Sequence, residues 1–136
     1  MTNGYPYLAL KCGCVVDGYR IENVIGTDGL GITYKAEYPA LKKTVAIKEY
    51  IPADFVFRLE GTKIVPKSEK DQDDYNWGLE RFLDEARLLA NYDHQNIVNV
   101  HRFFKAHGTA YIVMEYVDGE TLSPSLRLIK HSHTLS

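Results

Sequence analysis

The chain has 136 residues, of which 45% are hydrophobic and 25% are charged, and its formal net charge is −2. This length suits one domain with a real core and is too short for two. A net charge of −2 does not indicate the basic surface that binds nucleic acid or an anionic membrane. No apolar run is long enough to cross a bilayer. The N-terminus lacks the basic flank and long apolar stretch of a secretory signal, so we expect a cytoplasmic protein.

Two cysteines, Cys12 and Cys14, lie on either side of Gly13. Cysteines this close rarely form a disulfide, because adjacent side chains along an extended chain point apart. They supply only half of a cysteine-based metal site, and the histidines show no ligand spacing with them. We therefore expect no metal site and a structural or incidental role for both cysteines.

The first half of the chain has the pattern of a β-meander. Residues 1–18 are expected to be an irregular lead-in, because glycine and proline interrupt them repeatedly. Alternating apolar and polar residues predict strands over 19–25 and 32–38, joined by a glycine-rich turn over 26–31. A third strand opens at Thr44. Consecutive strands joined by short connections predict antiparallel pairing.

Later segments predict further β structure around one helix. A small accessory hairpin is expected over 55–65, where Glu-Gly separates two β-prone runs. Two more strands are predicted over 97–105 and 110–116, separated by a tight turn. Residues 123–136 have no convincing period and are expected to be an irregular tail, which leaves one domain over 19–122.

The clearest single element is a helix from about Tyr75 to Asn91. A polar loop over 66–74 precedes it, and Asp73 or Asp74 would cap its N-terminus. Apolar residues at three-and-four spacing give the helix one stripe to bury. They are Leu79, Phe82, Leu83, Ala86, Leu89 and Ala90.

The strand that opens at Thr44 carries a lysine in an unusual setting. Successive strand residues point to opposite faces, so Val45 and Ile47 share one face while Ala46 and Lys48 share the other. A small residue beside a cation suits a slot for a flat ring with an anionic tail. Taken alone, an edge-strand lysine that discourages aggregation is the commoner interpretation.

The glycine-rich turn adds a second candidate feature. Glycine lacks a Cβ and reaches positive φ without strain, so backbone N–H groups can approach an anion closely. The turn joins two strands and does not open a helix, which argues against a Rossmann site or a Walker-type loop. A strand–turn–strand flap over phosphates, with a lysine one strand later, is the other known arrangement. A plain hairpin is the alternative.

A carboxylate that holds the lysine would complete such a site. The helix offers Glu80, Asp84 and Glu85. At about 100° per residue, Glu80 and Asp84 lie away from the apolar stripe, whereas Glu85 lies at its margin. Glu85 is therefore the helix carboxylate most able to point at the sheet, although most helix acids are simply solvated.

Five short motifs follow one another along the chain. They are Ile25-Gly-Thr-Asp-Gly-Leu-Gly-Ile-Thr33, Val45-Ala-Ile-Lys48, Phe82-Leu-Asp-Glu-Ala-Arg-Leu-Leu89, His94-Gln-Asn-Ile-Val98 and Val113-Met-Glu-Tyr-Val117. Each motif is weak alone, but five in register are specific. In this order they resemble a protein kinase N-terminal lobe of the bacterial serine/threonine protein kinase type, over roughly 19–122. The resemblance implies an α+β fold, a five-stranded antiparallel sheet packed with one main helix.

The resemblance also implies an ATP site. Lys48 would bind the α- and β-phosphates while paired with Glu85, and these two would be the catalytic residues of the lobe. The glycine flap would cover the phosphates, and backbone groups of the hinge would hydrogen-bond adenine. The residues implied to bind ATP are Ile25, Gly26, Gly29, Gly31, Thr33, Ala46, Lys48, Met114, Glu115, Val117 and Glu120.

Two departures from the family pattern limit this expectation. Asp28 stands where the flap has its second glycine, which adds bulk and like-charge repulsion beside phosphate oxygens. The H-R-D and D-F-G motifs, which supply the catalytic aspartate and Mg²⁺ ligands, do not occur in the 136 residues. We expect a lobe that binds ATP but is truncated before the catalytic loop and transfers no phosphate alone. Mg²⁺ is expected only in a complete kinase.

The alternative is a non-enzymatic interaction or dimerisation module derived from a kinase. A lone lobe would expose the apolar inter-lobe face around Leu88, Ile97 and Val98. Such a patch promotes self-association or binding of a protein partner. Stabilisation by nucleotide would favour the first hypothesis, and a dimer insensitive to nucleotide would favour the second.

Overall fold

The computed structural model describes residues 8–91 and 99–117. Within these ranges a six-stranded antiparallel sheet has the order β1-β2-β3-β4-β8-β7, and β5 and β6 form a separate hairpin. One long helix, α1, accompanies the sheet. The elements are β1 Val15–Val16, β2 Tyr19–Asp28, β3 Gly31–Tyr38, β4 Lys43–Tyr50, β5 Val56–Leu59, β6 Lys63–Pro66, α1 Glu69–Ala90, β7 Val100–Ala106 and β8 Thr109–Glu115.

The predicted α+β architecture is confirmed, with one strand more than the five expected. The extra strand is β1, a two-residue piece of the lead-in that pairs Val16 with Tyr19. The chain reverses between them because Asp17 and Gly18 both adopt positive φ. Leu8, Leu10 and Val16 are also buried, so the lead-in contributes apolar side chains to the core, although residues 11–13 are exposed. The glycine and proline residues of this segment predicted irregular structure, and its few apolar residues gave no regular pattern against them.

Strand register separates two faces of the sheet. Lys48 on β4 is paired with Thr33 on β3 and with Ile112 on β8, and directly paired residues share a face. We call this side the Lys48 face. The neighbouring residue Glu49 pairs with Tyr111 of β8 and lies on the opposite side, the Glu49 face.

The helix begins six residues before the predicted start, which is the main error of the sequence prediction. Its N-cap is Ser68, whose hydroxyl accepts a hydrogen bond from the amide of Asp71, and not Asp73 or Asp74. The first turn also carries Glu69, and acidic side chains stabilise a helix N-terminus. This turn is polar, so it shows no apolar stripe and was assigned to the loop.

α1 packs against the end of β4 through a tight contact. Tyr50 donates a hydrogen bond of 2.8 Å to the carbonyl of Tyr75, and its ring lies 5.3 Å from that of Phe82. Gly78 makes this approach possible, because a Cβ there would lie 2.2 Å from the Tyr50 hydroxyl. Tyr75 in turn donates to the carbonyl of Gly108, which ties α1 to the β7–β8 turn.

The predicted accessory hairpin is confirmed as β5–β6, with positive φ at Glu60 and Gly61 in its turn. The amide of Ile64 donates to the carbonyl of His107 at 2.7 Å, so the hairpin is attached to the β7–β8 turn. The predicted turn at residues 92–96 and the predicted tail over 123–136 lie outside the described residues. Among the described residues, no helix is both long and apolar enough to span a membrane.

The two flap glycines Gly29 and Gly31 should respond differently to an added methyl group. At Gly31 a Cβ would lie 1.9 Å from the backbone oxygen of Glu49, whereas at Gly29 nothing lies within 4 Å. We expect Gly31→Ala to lower the free energy of unfolding by about 1–3 kcal/mol. Gly29→Ala is the control, with a change within about 0.5 kcal/mol. Urea unfolding followed by circular dichroism measures both, and equal effects would contradict the packing at Gly31.

Candidate functional site

Lys48 is a buried cation in the middle of the main sheet. It is 1% exposed, and β4 lies between β3 and β8, so the edge-strand interpretation is wrong. Its Nζ lies 2.7 Å from Oδ2 of Asp28 and 6.0 Å from the centroid of the Phe82 ring. Burying an ammonium group is costly unless a counter-charge accompanies it, so this position needs an anion.

Asp28 supplies that anion from the tip of the glycine flap. Its Oδ1 accepts hydrogen bonds from the amides of Leu30 (2.8 Å) and Gly31 (3.1 Å), while Oδ2 faces Lys48. Burial opposes ionisation of Asp28, but attraction to Lys48 and these hydrogen bonds outweigh it and hold the pKa of the carboxyl below its usual value. Asp28 is therefore charged at neutral pH.

The predicted ion pair between Lys48 and Glu85 is not formed. Among the ion pairs of the described residues, Lys48 pairs with Asp28. Chain topology explains this choice, because Asp28 is paired with Gly31, and Gly31 is paired with Tyr50 two positions from Lys48. Glu85 is half-buried on α1, which agrees with its place at the margin of the apolar stripe. A catalytic role for Glu85 stays a prediction.

The strand residues predicted to contact ATP share the Lys48 face. Ala46 is paired with Met114, and Thr33 with both Lys48 and Gly26. The Thr33 hydroxyl oxygen is buried and makes no hydrogen bond within the described part of the chain. A buried cation, a small residue and an orphan hydroxyl on one face fit a flat, anionic ligand that offers polar atoms.

The remaining predicted residues lie around this face with different exposure. Ile25 is half-buried, Gly29 is exposed and Gly31 is buried. At the end of β8, the exposed Glu115 donates from its amide to the carbonyl of Asn99 at 2.9 Å and accepts from the Asn99 amide through its side chain at 3.0 Å. Val117 is half-buried, while Glu120 lies outside the described residues.

The Glu49 face holds a charged cluster that sequence reasoning missed. Glu49 is fully buried and accepts hydrogen bonds from Tyr34 (2.6 Å), Tyr111 (2.7 Å) and both terminal nitrogens of Arg58 (2.7 and 3.0 Å). Burial, followed by the nearby Glu49 charge, raises the pKa of both tyrosines well above its usual range. We call these four residues the Glu49 cluster.

The Glu49 cluster fastens two peripheral segments to the sheet. Arg58 on the accessory hairpin also donates to the carbonyls of Leu8 and Thr62, each at 2.7 Å. The Tyr34 hydroxyl accepts from the amide of Leu10 at 3.0 Å. One signal could have revealed the cluster: the alternation that places Val45 and Ile47 on a core face puts Glu49 there too. A charged carboxylate on a core face is costly to bury unless a cation accompanies it, and Arg58 is that cation here.

Neither a metal centre nor a disulfide is formed within the described ranges. No group of three or more potential ligands there could hold a metal ion, and Cys12 and Cys14 are free thiols. Burial is the main cause that raises the pKa of the Cys14 thiol.

Comparison with known proteins decides the family. The protein kinase domain model matches residues 57–135, more than half of the chain. The chain belongs to the protein kinase domain family. The serine/threonine-protein kinase PknJ of Mycobacterium tuberculosis is 34% identical over 121 residues, which are 87% of this chain and 17% of PknJ. The serine/threonine-protein kinase PrkC of Bacillus subtilis is 35% identical over 104 residues, which are 76% of this chain and 13% of PrkC.

Solved structures agree with the fold. The apo form of PpkA-294 matches with a TM-score of 0.78 and 35% identity over 82% of this chain and 40% of that one. The PknI kinase domain of M. tuberculosis matches with a TM-score of 0.53 and 25% identity, over 81% of this chain and 37% of that domain. The chain thus spans less than half of each, and the described residues form an N-lobe of the bacterial serine/threonine kinase type.

Removal of Arg58 should destabilise the protein strongly. Arg58→Met leaves the Glu49 charge buried without its cation, so we expect a loss of about 3–5 kcal/mol in the free energy of unfolding. The control is Arg20→Met in the exposed pair with Glu37, expected to cost under about 1 kcal/mol. Denaturant unfolding measures both. The double variant Glu49→Gln/Arg58→Met should recover part of the loss, and equal costs for the two single variants would count against a buried ion pair.

Alkaline pH should destabilise the protein through Tyr34 and Tyr111. Both have a raised pKa in the folded state, so their stabilising effect is complete below the unfolded pKa of about 10 and is lost as pH rises above it. Above that pH, Tyr34→Phe and Tyr111→Phe should each reduce the fall in unfolding free energy by about 1.4 kcal/mol per pH unit. Urea unfolding between about pH 9 and 11.5 gives the slopes. Identical slopes in wild type and variants would exclude this assignment.

Proposed function

We propose that this chain is the ATP-binding lobe of a serine/threonine protein kinase. The observation that carries the proposal is Lys48, a buried cation on the same face as Ala46, Met114 and the orphan hydroxyl of Thr33. The kinase relatives and the glycine flap beside Lys48 support the same site. An ammonium group buried within a protein attracts phosphate far more strongly than a solvated lysine does.

The chain's own residues have distinct proposed roles. Ala46 and Met114 would pack against the adenine ring, and Lys48 would hold the α- and β-phosphates. The hinge residues Glu115 and Val117 would hydrogen-bond the adenine edge. Since the Glu115 amide already donates to Asn99, Glu115 would contribute its carbonyl and not its amide. Glu85 would orient Lys48 in a conformation where α1 brings it closer.

Phosphoryl transfer itself would need further groups. ATP supplies the γ-phosphoryl group, and transfer depends on a positioned base and on metal ions that neutralise the developing charge. The motifs that provide them do not occur in this sequence. We therefore propose that these 136 residues hold and orient the nucleotide and do not catalyse its reaction alone.

Nucleotide binding tests the proposal directly. ADP and Mg-ATP should raise the melting temperature of the chain, because a ligand that binds only the folded state stabilises it. Lys48→Met should remove most of the shift, and Lys105→Met, which replaces an exposed lysine on β7, should retain it. The same samples should incorporate no phosphate into the chain or a generic protein substrate. The proposal fails if no nucleotide shifts the transition, or if Lys48→Met leaves the shift unchanged.

The alternative, an interaction or dimerisation module, has one supporting observation. Leu88 on α1 is 69% exposed, as expected for an apolar residue at an uncovered face. Ile97 and Val98, the other residues predicted there, lie outside the described ranges. A stable dimer that is unaffected by nucleotide and is disrupted by Leu88→Asp would favour this alternative, and size-exclusion chromatography on the same samples measures it.

A further inference from the structure

The Asp28–Lys48 pair places an anion of the protein on the cation proposed to hold phosphate. Oδ2 of Asp28 lies 2.7 Å from Nζ, and the lysine side chain is 2% exposed. An ammonium has only three donors and carries one charge. A second anion that approaches Lys48 must either displace the carboxylate or accept its repulsion at short range.

The flap geometry shows that Asp28 is held in this position from both sides. Oδ1 is fixed by the amides of Leu30 and Gly31, which closes the β2–β3 turn, while Oδ2 is directed at Lys48. The carboxylate therefore does two separable things. One oxygen shapes the flap, which a neutral amide could also do, and the other neutralises the lysine, which needs a charge.

We propose that Asp28 is a specificity-determining residue that competes with nucleotide phosphates for Lys48 and so reduces discrimination between adenosine and its phosphorylated forms. This inference rests on the proposed function, because it assumes that the Lys48 face binds an adenine nucleotide. The free energy that phosphates gain by binding Lys48 is smaller when the Asp28 carboxylate must first be displaced. Only the phosphates compete with Asp28 for Lys48, so we expect the binding of the adenine part of the ligand to be unaffected.

Two substitutions separate the charge of Asp28 from its role in the turn. Asp28→Asn removes the charge and keeps an oxygen that can accept from the Leu30 and Gly31 amides. Asp28→Gly removes both functions. Glu37→Gln is the matched control, because it also removes one negative charge, from a half-buried carboxylate on β3 that is paired with Arg20. Thermal unfolding in the absence of nucleotide checks that each variant is folded.

Calorimetric titration of adenosine, ADP and ATP into each folded variant, with and without Mg²⁺, tests the inference. We expect Asp28→Asn and Asp28→Gly to bind ADP and ATP at least tenfold more tightly than wild type, with adenosine changed less than twofold. Glu37→Gln should behave as wild type.

Other outcomes would overturn it and show where the error lies. Equal ATP affinity in wild type and Asp28→Asn would reject competition while leaving the proposed nucleotide site intact. A parallel gain for adenosine would indicate a general change in the flap. Weaker ATP binding by Asp28→Asn only with Mg²⁺ would mean that Asp28 contacts the metal ion. Absence of binding by every variant would reject the nucleotide site together with this inference.

Discussion

Two buried charges of opposite sign stand next to each other on β4, and the rest of the structure accommodates them. Lys48 and Glu49 are 1% and 0% exposed, and strand geometry sends them to opposite faces of the sheet. They cannot neutralise each other across the sheet, so each requires its own partner. Asp28 arrives from the flap for Lys48, and Arg58 arrives from the accessory hairpin for Glu49.

The two pairs differ in how completely they are enclosed. The Glu49 cluster is satisfied on every side, with two tyrosine hydroxyls and a bidentate arginine around one carboxylate. Such an arrangement is costly to break, which suits a fixed structural joint. In the Lys48 pair, Asp28 lies on a surface turn and its side chain is 23% exposed. The more accessible ion pair, Asp28–Lys48, thus lies on the face proposed to bind nucleotide. The fully enclosed pair, Glu49–Arg58, lies on the opposite face.

Much of the fold follows from local pattern. The meander, the accessory hairpin and the apolar stripe of α1 were predicted because periodicity and turn chemistry act over a few residues. The start of α1 was missed because its first turn is capped and polar, without apolar periodicity, although Ser68 followed by Asp71 is a recognisable cap.

The site was harder to predict than the fold. The sequence pattern favoured Glu85 as the carboxylate beside Lys48, and Asp28 was considered only as a source of repulsion toward phosphate. The pairing of Asp28 with Lys48 depends on how the β2–β3 turn bends, because the two residues are 20 positions apart in sequence. The Glu49 cluster joins residues from three strands and a hairpin, and its members look like ordinary surface or core residues one at a time.

The hydrogen bonds that attach α1 to the sheet are concentrated at one residue of the helix, Tyr75. Directional bonds to Tyr50 and Gly108 hold the helix at Tyr75, whereas the side-chain hydrogen bonds seen in the described part of α1 beyond that point stay within the helix. Glu85 lies ten residues further along, about 15 Å from this pivot at 1.5 Å per residue. A tilt of about 10° would move Glu85 by roughly 2.6 Å at that distance. Because Phe82, Leu83 and Ala86 beyond this pivot are buried in the core, a tilt that brought Glu85 nearer to Lys48 would also have to repack these three side chains.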